Sequence, residues 1–439
     1  MRSGFFLSLL MVTAIETGPA SADGWAGTLV QQGKAYAVTA DGRTAVGTMN
    51  RLDNDGYWHF HAFRWTTGTG LSDIGPAGLE SSAYGISADG SVVVGQSNGH
   101  AFRWTQATGM VDLGLGIARA VSADGSVIVG QNAPNGHAFR WTQATGMVDL
   151  GTMGEGDSSD ALGVSADGTV VVGYANYDKN YLNAYFHAFR WSGAGMTDID
   201  TSGGHFSKAY GTSRDGSSVV GGFTAAANPF APHYQAFRWT QAAGMVDLGI
   251  LPGRTDPQDN HIGFTISADG NVVAGALTDN YGVGQDAFRW TSATGMQTVK
   301  DWLTAHAVDT GSASFGAAYG ISADGSAIVG SWTGQNAFLA YVTDRVALAV
   351  VNAGNGGRVV SDPAGIDCGT ACTANFVPDN AVTLTAIPGT GYIFGGWGGD
   401  CAGTTNTCTL TMNGTKKVTA SFLSLAVMPS SPWRHALGY

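Results

Sequence analysis

Aromatic rings and carboxylates crowd a few short stretches of this chain: Asp53, Asp55, Tyr57, Trp58 and His59; Tyr177, Asp178, Tyr181 and Tyr185; Phe230, His233 and Tyr234; Asp279 and Tyr281; and Trp332. Rings beside carboxylates suit carbohydrate recognition, because sugar C–H faces stack on rings while hydroxyls take polar partners. The plain alternative is that these rings pack their own long loops. Tyr57, Trp58, Tyr177, Tyr181, Tyr185, Tyr234, Tyr281 and Trp332 are the ligand-binding candidates. If the chain is an enzyme, Asp53, His59, His233 and Tyr234 are the groups able to move protons, as a polysaccharide lyase or glycosidase requires. No nucleophile elbow or His-Glu-x-x-His zinc helix is read. Asp53-Asn54-Asp55-Gly56 opens like a calcium loop but lacks the remaining ligands, so a turn is expected there.

The elements that position these residues follow from a repeat. A Ser-Ala-Asp-Gly-like tetrapeptide recurs with its Asp at 41, 89, 124, 167, 215, 269 and 324, at spacings of 48, 35, 43, 48, 54 and 55 residues. The unit is clearest from Ala83 to Gly114: AYGIS, ADG, SVVVG, HAFRW, TQATG, MVDLG. Asp-Gly between apolar runs signals a tight two-residue hairpin with a primed turn. Gly109 in TQATG turns the third strand onto a fourth, giving four antiparallel strands per unit and an all-β, seven-bladed β-propeller. The apolar runs Val92-Val93-Val94 and Val170-Val171-Val172 suit strands buried on both faces. The seventh unit lacks a fourth strand, and Thr28 to Gly33 is expected to supply it, closing the ring.

A residue present in nearly every unit is more simply structural than catalytic. Arg64 with Asp73, Arg103 with Asp112, Arg140 with Asp149, Arg190 with Asp198 and Arg238 with Asp247 are read as cross-strand ion pairs. Thr298 breaks the pattern in the sixth unit, and Leu339 with Gln31 replaces both charges in the seventh. Phe102 and Trp104 share a strand face and should fill space between blades. His61, His100, His137 and His187 give way to Gln235, Asp286 and Asn336, which argues against a metal ring. No metal and no cofactor is expected. The Asp-Gly and TQATG turns fall on one face of the propeller, so specific function should reside in the variable loops of the other. The repeated His-Ala-Phe-Arg-Trp, with its Gly-Met-Val-Asp-Leu-Gly and Ser-Ala-Asp-Gly companions over residues 35–342, resembles the HAF-repeat family of bacterial extracellular proteins. The Ser-Ala-Asp-Gly hairpin is also similar to those of Tol-system propellers. The resemblance implies an exported location and no particular chemistry.

Residues 1–22 read as a signal peptide, with an apolar stretch from Phe5 to Ile15 ahead of Ala20-Ser21-Ala22. That stretch is too short to span a bilayer, and no later segment suffices, so a secreted chain without membrane insertion is expected. A formal charge of −12 with 12% charged residues offers no basic surface for nucleic acid. The four cysteines all lie between Cys368 and Cys408, fitting an oxidising compartment. The propeller is assigned to 24–344, a second β domain to 345–423 and a tail to 424–439.

The second domain has strong β propensity and no repeat of the first kind. Gly391-Tyr392 through Gly395-Gly396-Trp397, followed by Val418-Thr419-Ala420-Ser421-Phe422, is similar to the bacterial β-repeat module related to internalin B-repeats. That resemblance implies a spacer or adhesion module. Pairing of Cys368 with Cys372 and of Cys401 with Cys408 is favoured among three connectivities, and disulfides are favoured over zinc. The leading expectation is a monomeric, non-enzymatic binding or adhesion protein for an extracellular glycan or protein. The rivals are a secreted polysaccharide lyase or glycoside hydrolase acting at the channel mouth, and a multivalent lectin with one pocket per blade.

Overall fold

The computed structural model describes residues 24–425 apart from 177–184, 201–205, 225–232, 255–258, 280–282, 307, 334–335, 343–345, 354–355, 363–365, 369–371, 377–380 and 413. The leader expected over 1–22 lies outside the described residues, as do Tyr177, Asp178, Tyr181, Phe230 and Tyr281. The chain divides between Val342 and Thr343 into two compact units.

The first unit is built from four-stranded antiparallel sheets, two of them merged through the long strand Gly109–Val121 into a sheet of seven. The innermost strands are Gly33–Val38, Ser81–Ile86, the second half of Gly109–Val121, Ser159–Val164, Ser207–Thr212, Asn260–Ile266 and Phe315–Ile321. Strand Gly24–Val30 pairs antiparallel with Ala337–Val342, adding a fourth strand to the last sheet.

Each Ser-Ala-Asp-Gly corner does two jobs. Within its hairpin, Ser87 N donates to Val92 O over 2.9 Å and Gly90 N donates to Ser87 O over 3.0 Å. The Asp89 carboxylate accepts from Ser87 Oγ at 2.7 Å and from Ser91 N at 3.0 Å. Among the seven corners only the glycines take positive φ, 74° at Gly90, so the expected primed two-residue turn is replaced by a longer loop whose Asp ties it internally. Between hairpins, the residue before Asp donates its N–H to its counterpart's carbonyl: Ala40 to Ala88, Ala88 to Ala123, Ala123 to Ala166, Ala166 to Arg214, Arg214 to Ala268, Ala268 to Ala323, and Ala323 back to Ala40, all between 2.8 and 3.1 Å.

Packing between sheets explains the remaining repeated letters. Phe63, Phe102, Phe139, Phe189, Phe237, Phe288 and Phe338 are all fully buried. A Cβ on Gly95 would strike Ser82 O and the Phe102 ring, so the glycine ending each SVVVG strand makes room for the phenylalanine beside it. Neighbouring sheets are also tied by side chains, as where Ser159 Oγ accepts from Ala138 N at 2.8 Å.

The expected Arg–Asp ion pairs do not form, and strand register is the reason. Phe63 lies opposite Asp73 and Arg64 opposite Ser72, so Asp shares a face with Phe and the His two residues before it, while Arg points to the other face. His61, His100, His137 and His187 pair through Nδ1 with Asp73, Asp112, Asp149 and Asp198 at 2.8–2.9 Å. Arg140, Arg190 and Arg238 instead donate Nε–H to the carbonyls of Gly168, Gly216 and Gly270 in the next unit's corner, at 3.1, 3.2 and 2.8 Å. In the seventh sheet the residue opposite Phe338 is Thr28 rather than Gln31. The sixth unit departs because Thr298 caps a helix, Val299–Ala305, accepting from Asp301 N, and Arg289 lies 5.1 Å from the Trp302 ring that this helix buries.

In the second unit, two four-stranded sheets share one core that includes Leu348, Val359, Leu384, Trp397, Val418 and Phe422. One of these sheets contains a parallel pair, Val346–Ala353 with Lys416–Ser424. Cys368 is bonded to Cys372 and Cys401 to Cys408, as favoured from the sequence.

Two predictions follow from these contacts. The Ser165 and Ser213 hydroxyls, with the backbone N–H groups of Thr169 and Ser217, hold the Asp167 and Asp215 carboxyls down to about 2. Because these values are depressed in the folded state, their stabilisation is complete above the ordinary carboxylate range of about 4 and is lost as pH falls through about 2. Urea midpoints should therefore fall between pH 4 and pH 2, and the fall should be shallower in Asp215→Asn, which keeps an acceptor and cannot titrate. Phe139→Ala should destabilise the first unit by about 3–5 kcal/mol in the same assay.

Candidate functional site

Each inner hairpin carries a β-bulge at the same place. The register shifts bracket Tyr36, Tyr84, Arg119, Leu162, Tyr210, Phe264 and Tyr319, one residue per unit. A bulge re-aims its side chain, and here the re-aimed rings meet one another. Tyr36 lies 5.3 Å from Tyr84 and 5.5 Å from Tyr319, and Phe264 lies 5.2 Å from Tyr210 and 5.4 Å from Tyr319, centroid to centroid. The inner strands crowd together there: a Cβ on Gly320 would sit 3.0 Å from Tyr36 O. Burial raises the phenol pKa values of Tyr36, Tyr210 and Tyr319.

Two of the seven positions break this girdle, Arg119 and Leu162, and the break is where charge enters. Arg119 lies 5.6 Å from the Tyr84 ring centre and donates from Nη2 to Asp160 Oδ2 at 3.0 Å. Asp160 is 1% exposed. Burial pushes its carboxyl up, opposed by Arg119. Asp160 Oδ1 and Arg119 Nε are both buried without a hydrogen-bond partner. Lys208, on the next inner strand, lies 4.3 Å from the Tyr174 ring and 5.5 Å from that of Phe186. Burial lowers its pKa, against the pull of Asp160. Sequence reasoning missed this group by treating all inner strands as scaffold. Aligning the unit repeats would have exposed it, since arginine and leucine interrupt an otherwise aromatic column.

The expected Asp53–His59 region forms a second site. Strands Thr44–Leu52 and Trp58–Thr66 stay paired over nine residues each. The loop between them is a turn, as expected, closed by Asp53 N to Tyr57 O and Gly56 N to Asp53 O, both 3.0 Å. His61 is fully buried at its base, 3.1 Å from Asp53 through Nε2 and 2.9 Å from Asp73 through Nδ1. The Gly78 backbone N–H, followed by His61, holds the Asp53 carboxyl low. Asp55 bonds His59 at 2.8 Å and raises its pKa, while Glu80 accepts from Phe60 N at 2.8 Å. Beyond these anchors Tyr57, Trp58 and Phe60 are 71%, 62% and 53% exposed.

Other expected site residues lie elsewhere. Tyr185 packs edge-on against Phe206, 5.9 Å between centroids. Tyr234 donates its backbone N–H to Asn260 Oδ1 at 2.8 Å, and burial raises its phenol pKa. His233 and Tyr234 belong to the fifth unit and Asp53 and His59 to the first, and no hydrogen bond or ion pair joins the two sets among the described residues. Trp332 packs against both Phe315 and Phe338, which also meet each other, at the wall of a cavity of about 490 Å³ that Asp309, Ser312, Ser314 and Asn336 also line. Gly95-Gln96-Ser97-Asn98-Gly99 does spell Gly-x-Ser-x-Gly, but it forms a hairpin turn with φ of 48° at Asn98 and 83° at Gly99, not the strand-to-helix elbow of a nucleophile. Among the described residues no three His, Cys, Asp or Glu side chains are grouped to hold a metal ion, and no helix is long and apolar enough to cross a membrane.

In the second unit the Trp397 indole is buried and donates Nε1–H to Thr405 O at 2.8 Å, with Phe394 4.9 Å away. Gly396 follows a bulge with φ of 135°, a conformation only glycine takes easily. Residues 347–425 match the divergent InlB B-repeat domain. The B-repeat domain accounts for the Gly-Gly-Trp hallmark read from the sequence. No curated protein matches the chain. Among solved structures, a protein described as TolB from Agrobacterium tumefaciens is 15% identical, with 58% of this chain and 88% of that one covered and a TM-score of 0.39.

His61→Ala should remove the one side-chain link between Asp53 and Asp73 besides Arg51 among the described residues and lower the thermal midpoint clearly. His100→Ala, in a 43% exposed pair, should shift it by no more than the small amount typical of surface ion pairs. Thermal unfolding of the two variants checks the difference.

Proposed function

We propose that residues 24–342 form a closed seven-bladed β-propeller of the HAF-repeat type in an exported, non-enzymatic binding protein, which recognises an extracellular glycan or protein through the propeller's variable loop face. The propeller reading is supported by the circuit of seven main-chain bonds that returns to Ala40 and by the pairing of Gly24–Val30 with the last sheet. The B-repeat domain acts as a spacer or attachment module. The observation that carries the binding reading is the first unit's long hairpin, which holds Tyr57, Trp58 and Phe60 out to solvent over a base fixed by buried His61. Rigid aromatic anchors of this kind bind with little loss of side-chain entropy.

Asp53 favours binding over hydrolysis or elimination. It is committed to His61, Arg51 and the Gly78 N–H and held ionised, which ill suits it to donate or take a proton. A pocket in every blade is also disfavoured, because the repeated phenylalanines are fully buried and three of the repeated arginines are spent on neighbouring carbonyls.

Mature protein should be retained on one or more of a panel of insoluble or immobilised polysaccharides without releasing new reducing or unsaturated ends. Trp58→Ala and Tyr57→Ala should each weaken retention about tenfold or more, the loss expected for truncating an aromatic anchor. New ends abolished by Asp53→Asn or His59→Ala would establish an enzyme, and absence of both signals would direct the search to protein partners.

A further inference from the structure

We propose that Arg119, Asp160 and Lys208 form a binding site for a sugar acid, a polyol bearing a single carboxylate, at the inner strands of the third to fifth repeats. The proposal deepens the binding-protein reading by naming a ligand class for a site separate from the Trp58 hairpin.

Three observations converge. First, the groups sit on three consecutive inner strands: Arg119 on Gly109–Val121, at a bulge that five of the seven units fill with an aromatic ring, and Asp160 on Ser159–Val164 and Lys208 on Ser207–Thr212, each two residues before its own bulge. Five units pack with a ring at the bulge and one with Leu162, so packing does not require a charged residue at 119.

Second, the cluster is polar and incompletely satisfied. Asp160 is 1% exposed and uses Oδ2 for Arg119 at 3.0 Å, while its Oδ1 and the Arg119 Nε have no partner. An unpaired acceptor and an unpaired donor side by side are costly unless an occupant supplies both complements. A hydroxyl-rich molecule does so, donating to Oδ1 and accepting from Nε. A simple oxyanion such as sulfate cannot donate and would be repelled by Asp160.

Third, the charges do not cancel. Two cations face one carboxylate, a local excess of +1 within a chain of formal charge −12. Lys208 rests on the faces of Tyr174 and Phe186, at 4.3 and 5.5 Å, and makes no ion pair with Asp160. Among the described residues its ammonium is held by ring faces and by no carboxylate, so it can take a ligand carboxylate as counter-ion. Burial raises the phenol pKa values of Tyr174 and Tyr210, so their hydroxyls keep the proton they can donate to ligand oxygens.

Calorimetric titration of the full mature chain with galacturonate and glucuronate tests this, against galactose, glucose and sulfate. The uronates should bind at least tenfold more tightly than the neutral sugars or sulfate and should raise the thermal midpoint. Lys208→Met, which removes the charge and keeps an unbranched side chain of similar length, should weaken uronate binding at least tenfold, and Asp160→Asn should reduce the preference for uronates over sulfate. Trp58→Ala should leave uronate binding unchanged even where it abolishes retention on polymer, which separates this site from the hairpin. Absence of uronate binding, equal binding of neutral sugars, or unchanged affinity in Lys208→Met would overturn the proposal. Should Lys208→Met fail to fold, the comparison of uronates with neutral sugars and sulfate on the unaltered chain decides the matter.

Discussion

The first unit depends on a circuit of seven main-chain hydrogen bonds, each from one Ser-Ala-Asp-Gly corner to the next and the last returning to Ala40. A single bond of this type contributes only about 0.5–1.5 kcal/mol net. Its importance is geometric. Linking the corners draws the inner strands so close that Gly163 has no room for a Cβ without pressing on Tyr210 O, 3.2 Å away. That crowding is met by a bulge in every inner hairpin, and the bulge determines which side chain each unit sends inward. The corner motif thus governs the composition of the centre although it lies some residues away from it.

Repetition and departure have different physical causes here. Residues that recur answer demands that recur: the phenylalanine that needs a glycine beside it, the arginine that reaches the next corner, the histidine that faces aspartate across the outer pair of strands. A departure needs its own cause. In the sixth unit it is local, because Thr298 serves a helix N-terminus instead of a His partner. In the first unit, the His–Asp pair acquires a second aspartate, Asp53, and becomes the buried foot of a long hairpin. In the third unit Arg119 stands where other units have a ring, and its ion pair with Asp160 of the fourth leaves two polar atoms unmet. A buried charge pair of this kind is a poor source of stability compared with apolar packing.

Much of the fold was legible because period and turn chemistry are local. The Asp-Gly corners, the glycine of TQATG and the valine runs specify where strands begin, turn and become buried. The sheets follow that text closely, although the last sheet's outer strand runs over Gly24–Val30 rather than the expected Thr28 to Gly33, whose final glycine already opens the next strand. The corner itself was misjudged, since the Asp acts as an acceptor for Ser and not as a positive-φ residue. The Arg–Asp pairs failed for a similar reason. A spacing of nine residues between Arg64 and Asp73 says nothing about register, and a one-residue offset sends the two side chains to opposite faces. Of the candidate site, the exposed Tyr57 and Trp58 could be suspected from composition, but the burial of Asp53 and His61 beneath them could not.

By itself the sequence determined the number of repeats, the strands within each and the break in texture where the second unit begins, because all of these depend on neighbours within about fifty residues; it favoured the local disulfide pairs without deciding among three connectivities. Only the tertiary structure decided which faces the repeated charges occupy, which rings are sealed and which are presented, and that Arg119, Asp160 and Lys208 lie on adjacent inner strands. Those outcomes depend on register, on bulges and on the packing of one sheet against the next, where a shift of a single residue exchanges the buried face for the other.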